Sequence, residues 1–565
     1  MVKRFVKKTA GRLIRRILPK LAHRSPKTKI HGNLEINMVS SWNTRCGIAA
    51  YSSMLADELK NKAKVKIVDI PKNRALSPFF FVLGYQNGRK NQIIQVQFAY
   101  GVFPGFWQSR RWGFSDFGAL LYYLGLAFSR SLIVTTFHEV KTKRNATGKI
   151  KVFYEKLLDK LICNVSDLII VHTVESKEYL IKNYGMNKER IKIIPMGCFE
   201  NPIVINKDKA KEKLHLAGKT VITVPGFISK NHGIDLIVSI LPRLEKNIVL
   251  LISGGKSTKA SEPYLQELKE TARKNLTSER IFFIDDYPIP SAVFNATDIA
   301  VLPYRYATES LSLRMLVAYR LPTITSNLNV FKEIKSQYKC LELFESDDEK
   351  SLLAEILKLL SDQNEQKVLK ENCAEMWSQN RWSTISQKYV EAYFESLSGH
   401  PDEIYDNKIQ KERINWVKQN KQGRALEIGC AGGFITNYVN ADVGLDINPW
   451  RIRFSKIKYP EKDFITASAF MLPFKDKAFD SILIPEILEH VTFQNAKIIV
   501  NESKRIAHSV LTTLPNADKI NYDKAIVENP EHLWFPTKKL VLKLMNDCMI
   551  QYSSEQDFIL VSCTE

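Results

Sequence analysis

A chain of 565 residues, 45% apolar and 25% charged, has the composition of an ordinary globular protein and the length for about three domains, each with its own core. Its eight cysteines (46, 163, 198, 340, 373, 430, 548 and 563) are scattered without a C-x-x-C pair, which argues against a disulfide framework or zinc site and for a reducing cytosolic compartment. The net charge of +22 raises nucleic-acid binding, but residues 1–29 alone carry eleven Lys or Arg and no acid, half of the excess, and no nucleic-acid-binding fold signature follows.

Those first residues also place Phe5, Val6, Leu13, Ile14, Ile17, Leu18 and Leu21 at the spacing of one helical face. A basic amphipathic helix reads as a membrane-surface anchor on anionic lipid, or as a solvated leader or targeting peptide. Next come short apolar runs at 34–39, 64–70, 93–97, 131–137, 167–172 and 191–195, with helical spacing between them. Such alternation predicts a doubly wound parallel sheet with its ligand crevice at the strands' carboxyl ends. Phe117–Phe128 is too short to span a bilayer and predicts a buried or interfacial helix, while 103–114 mixes aromatics with arginines, as a headgroup-level or plain surface loop would.

A second alternating set runs through 220–224, 248–255, 280–285, 299–303 and 322–326, and an amphipathic helix at 383–397 closes it. Within that set, Val221–Gly233 reads as a strand, a break at Pro225–Gly226 and then a helix over Ile234–Leu244. Free backbone N–H groups and a helix's positive end at one point make a site for a diphosphate. Residues 399–424 are polar, a linker plus the helix leading into the next unit. A third α/β unit starts at Ala425 with the strand-loop-helix ALEIGCAGGFITNYV.

The ordered motifs RCGIAAYSSMLADEL (45–59), TTFHEV (135–140), SDLIIVHTVESKEYL (166–180), KIIPMGC (192–198), VPGFISKNHGIDLIV (224–238) and PYRYATESLSLRMLVAYRLPTITSN (303–327) resemble the retaining, group 1 type of GT-B glycosyltransferases. The resemblance covers about 33–398. It implies two Rossmann-like domains, 30–200 for the acceptor and 201–398 for the nucleotide-sugar donor. Losing a diphosphate leaving group puts charge on its oxygens, which helix starts and cations stabilise. The helix starts expected to do so are those after Gly226 and at Glu309, Ser310 and Ser312; Lys230 and Arg314 are the expected cations. Gly47 lets the first domain's loop approach across the cleft, and the resemblance assigns His138 to the donor sugar or acceptor and His172 to structure. His232 stands where the family commonly has a lysine, and Met315 where a second glutamate is frequent. Tyr304 and Tyr306 read as packing aromatics. No D-x-D motif occurs, so no metal is expected.

The third unit offers Glu427-x-Gly429-x-Ala431-Gly432-Gly433 after a strand, and Asp446 ends the next strand nineteen residues past Glu427. Glycines there admit an adenosine-type ligand and the later carboxylate accepts ribose hydroxyls, a logic nicotinamide enzymes share. With LPFKDKAFDSILIPEILEHV (472–491) and NPEHLWFPTKKLVLKLM (529–545), this stretch resembles the class I S-adenosylmethionine methyltransferases over about 405–565, so 425–565 is a Rossmann-like methyltransferase domain. The cofactor residues implied are Glu427, Gly429, Ala431, Gly433, Asp446 and Ser468, with Ala431 replacing a usual glycine and Ser468 a frequent aspartate. Glu486, His490 and His532 are candidate bases or helix caps. EILEH has no second histidine for zinc.

The expectation is a bifunctional enzyme that transfers a sugar from a nucleotide donor to a glycan or lipid-linked acceptor and methylates a related acceptor. The alternative makes one half a non-catalytic glycan- or nucleotide-binding module, which the substitutions at His232, Met315, Ala431 and Ser468 suggest. The expected location is cytoplasmic, peripheral to the inner face of the membrane where residues 1–29 act as an anchor.

Overall fold

The computed structural model describes residues 34–42, 44–70, 79–87, 93–100, 102–103, 117–129, 131–140, 149–255, 261–398, 408–519, 533–554 and 557–564. The basic segment 1–29, most of the loop 103–114, the linker to 407 and His532 lie outside them. The chain divides at Val390/Glu391 into two compact units.

The first unit holds two six-stranded sheets. Strands β1 (Glu35–Ser40), β2 (Lys64–Asp69), β3 (Ile93–Phe98), β4 (Leu132–Phe137), β5 (Leu168–Val171) and β6 (Ile191–Ile193) form a sheet of order β2-β1-β3-β4-β5-β6. Strands β7 (Thr220–Pro225), β8 (Ile248–Ser253), β9 (Ile281–Ile284), β10 (Ile299–Leu302), β11 (Thr323–Ser326) and β12 (Glu342–Phe344) form the second, β12-β11-β10-β7-β8-β9. Every pairing in both is parallel. β3, β4 and β8 are buried at every position, as unbroken apolar strands must be when helices cover both faces of a sheet.

The helix Trp382–Ser398 follows the second set yet reaches back to the first sheet: the Tyr389 hydroxyl sits 2.7 Å from that of Tyr51 and 3.0 Å from Thr136 Oγ1. Gly197 is required beneath it, because a Cβ there would lie 2.3 Å from the Trp382 indole.

The second unit has seven strands: β13 (Ala425–Ile428), β14 (Val443–Asp446), β15 (Asp463–Thr466), β16 (Phe479–Pro485), β17 (Ala507–Pro515), β18 (Met549–Tyr552) and β19 (Phe558–Thr564). Their order is β15-β14-β13-β16-β17-β19-β18, with β19 antiparallel to both neighbours.

Two expectations change here. Cys548 and Cys563 are disulfide-bonded; antiparallel pairing sets Met549 opposite Ser562, so the residues just outside that pair meet, a contact their separation of 15 residues did not signal. The helix after Gly226 starts at Ile234, as read, but its α-helical part ends at Ile240, with 3-10 turns at Lys230–His232 before it and at Leu241–Arg243 after it. Among the described residues no helix is long and apolar enough to cross a membrane.

Candidate active sites

In the first unit a cavity of about 670 Å³ lies at the carboxyl ends of the strands, lined from the first sheet by Trp42, Arg45 and Gly47 and from the second by Gly226, Phe227, His232, Tyr287, Tyr304, Glu309, Ser310 and Ser312. This is the crevice that a parallel α/β sheet offers a ligand. Gly47 opens the helix Gly47–Lys60, and nothing lies within 4 Å of where its Cβ would be. Gly226 has φ +120°, and a Cβ there would touch Ser312 Oγ at 3.0 Å. Ser310 caps the helix Leu311–Ala318, accepting from the Leu313 N–H at 3.1 Å, so that helix start opens at the cavity wall.

The expected cations are elsewhere. Lys230 is 69% exposed and pairs with Glu267 at 2.9 Å. Arg314 is buried and holds Glu309 at 2.9 Å, each side chain 3% exposed, so its charge is spent on that carboxylate. Neither lines the cavity. His232 donates from Nδ1 to the Phe227 carbonyl at 2.5 Å and stacks on Tyr304; burial lowers its pKa, so it is neutral near pH 7 and replaces no lysine. In the helix at Ile234 the Asp235 N–H bonds the Tyr264 hydroxyl at 3.0 Å and the Leu236 N–H the Gly233 carbonyl at 3.0 Å, so neither is offered to the cavity. Arg45 is the one Lys or Arg among the cavity's described residues, and sequence reasoning missed it. The signal was its place two residues before a glycine that opens a helix, the logic already applied at Ser310.

His138 and His172 form a buried chain behind this site. The Ile194 carbonyl only accepts, so His172, 2.8 Å away, carries its proton on Nδ1 and accepts at Nε2. His138 then donates from Nδ1 at 3.3 Å and accepts at Nε2, which sits 2.8 Å from the Gln97 amide oxygen. Turning that amide brings its otherwise unpartnered N–H to the ring, the donor this tautomer requires. Burial first, and His172 second, hold the His138 pKa well below the usual range. With both nitrogens engaged, the His138 ring does not line the cavity. Its backbone carbonyl instead accepts from Thr308 Oγ1 at 2.7 Å, tying the two halves of the unit together.

In the second unit the turn after β13 sits against the end of β14. Gly429 and Gly433 take φ +75° and +82°, and Ala431 itself takes φ +45°. A Cβ on Gly429 would meet Ile487 at 2.2 Å, and one on Gly433 would meet Phe464 at 2.8 Å, so these glycines answer to packing as well as to ligand approach. Asp446 accepts from Ala431 N–H (3.0 Å) and Asn448 N–H (2.8 Å), with Arg451 at 3.5 Å; the carboxylate expected for ribose first holds its own turn. Glu427 is buried inside the sheet and accepts from Thr436 Oγ1; burial pushes its pKa up to about 7, and it offers nothing to a surface ligand. Ser468 accepts from Phe470 N–H at 3.3 Å, just past β15.

Glu486 directly follows β16 with φ +54°, next to the Ile487 that covers Gly429. It is 29% exposed and paired at 3.1 Å with Arg413, whose side chain is fully buried. His490 is exposed on the following turn. Glu489, which the sequence reading passed over, is buried beside them with Oε2 unpartnered; burial, then Glu486, push its pKa well above the carboxylate range. Among the described residues no group of three His, Cys, Asp or Glu is arranged to hold a metal ion.

Residues 206–376 match the model of glycosyl transferases group 1, and residues 426–509 that of a methyltransferase domain. The chain is 27% identical over 187 residues to mannosylfructose-phosphate synthase of Agrobacterium fabrum, 31% of this chain and 41% of that one. It is 29% identical over 112 residues to the O-antigen biosynthesis glycosyltransferase WclY of Escherichia coli, 20% of this chain and 29% of the relative. The chain thus spans about half the length, or less, of such curated relatives. Among solved structures it superposes on HepE of Anabaena in complex with UDP (TM-score 0.52, 13% identity) and on sucrose-phosphate synthase from Thermosynechococcus elongatus (TM-score 0.53, 15% identity), covering 65% of this chain and 100% of each. The chain therefore joins a group 1 glycosyltransferase domain, in a unit of GT-B fold, to a C-terminal methyltransferase domain of Rossmann-like fold.

Proposed function

We propose that the chain is a bifunctional enzyme of cell-surface polysaccharide synthesis, transferring a sugar from a nucleotide donor to a glycan or lipid-linked acceptor and methylating a related acceptor. The observation that carries this is the cavity joining Gly47 and Arg45 of one Rossmann-like half to Gly226, Ser310 and Ser312 of the other. Residues 30–200 act as the acceptor domain, 201–398 as the donor domain and 425–565 as the methyltransferase. The UDP complex of HepE and the O-antigen role of WclY support a nucleotide-sugar donor and a surface glycan.

In this reading the stacked Phe227 and Tyr287 rings, 5.2 Å apart, offer a flat apolar wall for the nucleobase. As the bond from sugar to diphosphate breaks, charge on the leaving oxygens is met by the helix start at Leu311–Ser312, by the Ser312 hydroxyl and by Arg45, whose loose 3.9 Å pair with the exposed Asp285 leaves it able to turn to the ligand. Lys230 would have to leave Glu267 to contribute. Arg314 holds Glu309 in place, and His138 fixes the loop beneath the sugar through its backbone carbonyl.

The donor set of the second unit fits S-adenosylmethionine: a turn at the end of β13, a carboxylate at the end of β14 and apolar Ile447 and Phe470, 69% and 39% exposed, beyond the ends of β14 and β15. Asp446 and the Gly429–Gly433 turn would hold it once Arg451 swings aside, with Ser468 near the adenine. When bound, that cofactor supplies an electrophilic methyl group on sulfur. Glu486, held at 3.1 Å by Arg413, accepts the hydrogen bond of the acceptor hydroxyl and takes its proton, with His490 as the second base. Residues 1–29 are proposed to hold the cytoplasmic enzyme at an anionic membrane surface.

The test is nucleotide release from a panel of nucleotide sugars together with methyl incorporation from labelled S-adenosylmethionine, across varied glycan and lipid-linked acceptors. Both are expected; absence of both overturns the reading. A second reading, with one half a binding module, is favoured by the tied side chains of Lys230, Arg314 and Asp446. Calorimetry with UDP, GDP and S-adenosylmethionine beside the two turnover assays separates them, because a binding-module half turns nothing over, whether or not it still binds its ligand.

A further inference from the structure

Around the second sheet of the first unit lies another cavity, of about 560 Å³, that neither transfer reaction uses. Thr297 and Asp298 on its wall lead into β10, and Leu321 leads into β11. It therefore opens at the amino ends of the strands, opposite the cavity at Gly226 and Ser310. Its volume falls within the roughly 300–1,000 Å³ of small-molecule sites. The rim is held in place by Asn295, which accepts from the Ile205 N–H at 3.0 Å and donates to the Ile203 carbonyl at 2.8 Å. The rings of Phe294 and Tyr319, stacked at 4.7 Å, give the cavity an apolar wall.

Its charge says what would fill it. Lys207, Arg320, Lys367 and Lys370 line the cavity against Asp298 and Glu371. Asp298 is already met by Lys207 at 2.9 Å and Lys211 at 2.7 Å. On the helix Gln363–Gln379, Lys367, Lys370, Glu371 and Ala374 stand at i, i+3, i+4 and i+7 and so share the face turned to the cavity. Arg320, Lys367 and Lys370 are exposed and form no ion pair among the described residues, with Glu371 alone to oppose them. Arg320 also occupies a backbone that does not favour it. Its N–H bonds the Val317 carbonyl at 3.0 Å and the Leu321 N–H bonds the Leu316 carbonyl at 3.0 Å, a Schellman turn that closes the helix Leu311–Ala318 with Arg320 at φ +53°. Glycine takes that conformation without steric cost, so an arginine closes the turn less stably. What it adds is an unpaired guanidinium at the cavity, a fork that matches two phosphate oxygens at once. We infer that this cavity binds a phosphate-bearing small molecule, its phosphate held by Arg320, Lys367 and Lys370 and its body laid against Tyr319. Such a site goes beyond the transfers proposed above and rests on neither.

The experiment is calorimetry on the full chain, with UDP present throughout to fill the other cavity, titrating inorganic phosphate, glucose 6-phosphate and glucose. Glucose 6-phosphate is expected to bind more tightly than phosphate, and glucose not to bind. Arg320→Gly should lower the affinity for glucose 6-phosphate at least about tenfold and at the same time raise the melting temperature by about a degree or two, opposite directions that a merely structural residue would not show. The double variant Lys367→Ala, Lys370→Ala should weaken binding to a similar degree, since it removes two cations from an exposed helix face. A wild type that binds neither phosphate compound, or variants that bind both as the wild type does, overturns the inference whatever the transferase assays give. Glucose 6-phosphate held no more tightly than phosphate assigns the cavity to the free anion and overturns the seat against Tyr319. Glucose bound as well as its phosphate overturns the choice of an anion, and an Arg320→Gly variant that melts below the wild type overturns the assignment of residue 320 to ligand rather than to fold.

Discussion

Two arginine–carboxylate pairs invite comparison. Arg314 and Glu309 in the first unit are both 3% exposed, so water reaches neither ion. Arg413 in the second unit is fully buried, but its partner Glu486 is 29% exposed and stands on a left-handed backbone at a strand end. A closed pair spends its charge on itself and fixes a loop. A half-open pair buries the cation and presents the anion, which is what a group meant to touch substrate needs. Sequence position does not distinguish them, since each acid follows a β-strand in a crevice-forming loop.

The largest effect that could break the comparison is Arg314→Met. It leaves Glu309 buried without its cation, so the first unit should lose about 3–5 kcal/mol, read as a lower melting temperature. A variant that melts with the wild type means water reaches Glu309 after all. Glu486→Gln is next: it keeps the shape and a hydrogen bond to Arg413, removes the proton acceptor, and should slow methyl transfer about 100-fold with S-adenosylmethionine affinity unchanged in calorimetry. A loss of affinity alone would make the residue part of the cofactor's seat.

A buried carboxyl held by a hydroxyl rather than by an ion pair sharpens the contrast. Glu427, bonded to Thr436, has its pKa raised to about 7 by burial, above the unfolded value near 4.5. The folded state therefore binds more protons between those values, and its stability is full below about pH 4.5 and falls as the pH rises through 7. The loss is on the order of 3 kcal/mol. Glu427→Gln should remove this dependence, so that the gap between the variant's and wild type's melting temperatures widens from pH 5 to pH 8. An unchanging gap would show the carboxyl to be hydrated. Smallest is Lys230→Ala: an exposed pair with Glu267 should cost within about 0.5 kcal/mol, and donor turnover should change less than twofold. A collapse of turnover would mean Lys230 enters the cavity when donor binds.

Most strands of the first unit were legible because a buried parallel strand is an unbroken apolar run between helical stretches. β3, β4 and β8 show this, and their observed ends lie within two residues of those read from sequence. β12 and the antiparallel β18–β19 pair were not legible: three residues, or the half-exposed pattern of β18, give no such run. In the cavity, Gly47, Gly226, Ser310 and Ser312 follow from the strand-turn-helix and capping rules, and His232 and Glu309 from the family resemblance. Lys230, Arg314 and His138 were displaced by partners no local rule reveals, Glu267, Glu309 and the Gln97–His172 chain. A glycine announces its backbone in the sequence, whereas a charged side chain's direction is decided by what folding brings beside it.

The helix Trp382–Ser398 has a consequence for how the protein is made. The Tyr389 hydroxyl that joins Tyr51 and Thr136 is synthesised 253 residues after Thr136. The first sheet is complete at Ile193, so at ordinary elongation rates it waits roughly 10–40 s on the ribosome for its last partner. During that interval it is an incomplete domain with an open polar seam, and a nascent chain halted before residue 382 should be a client for chaperones.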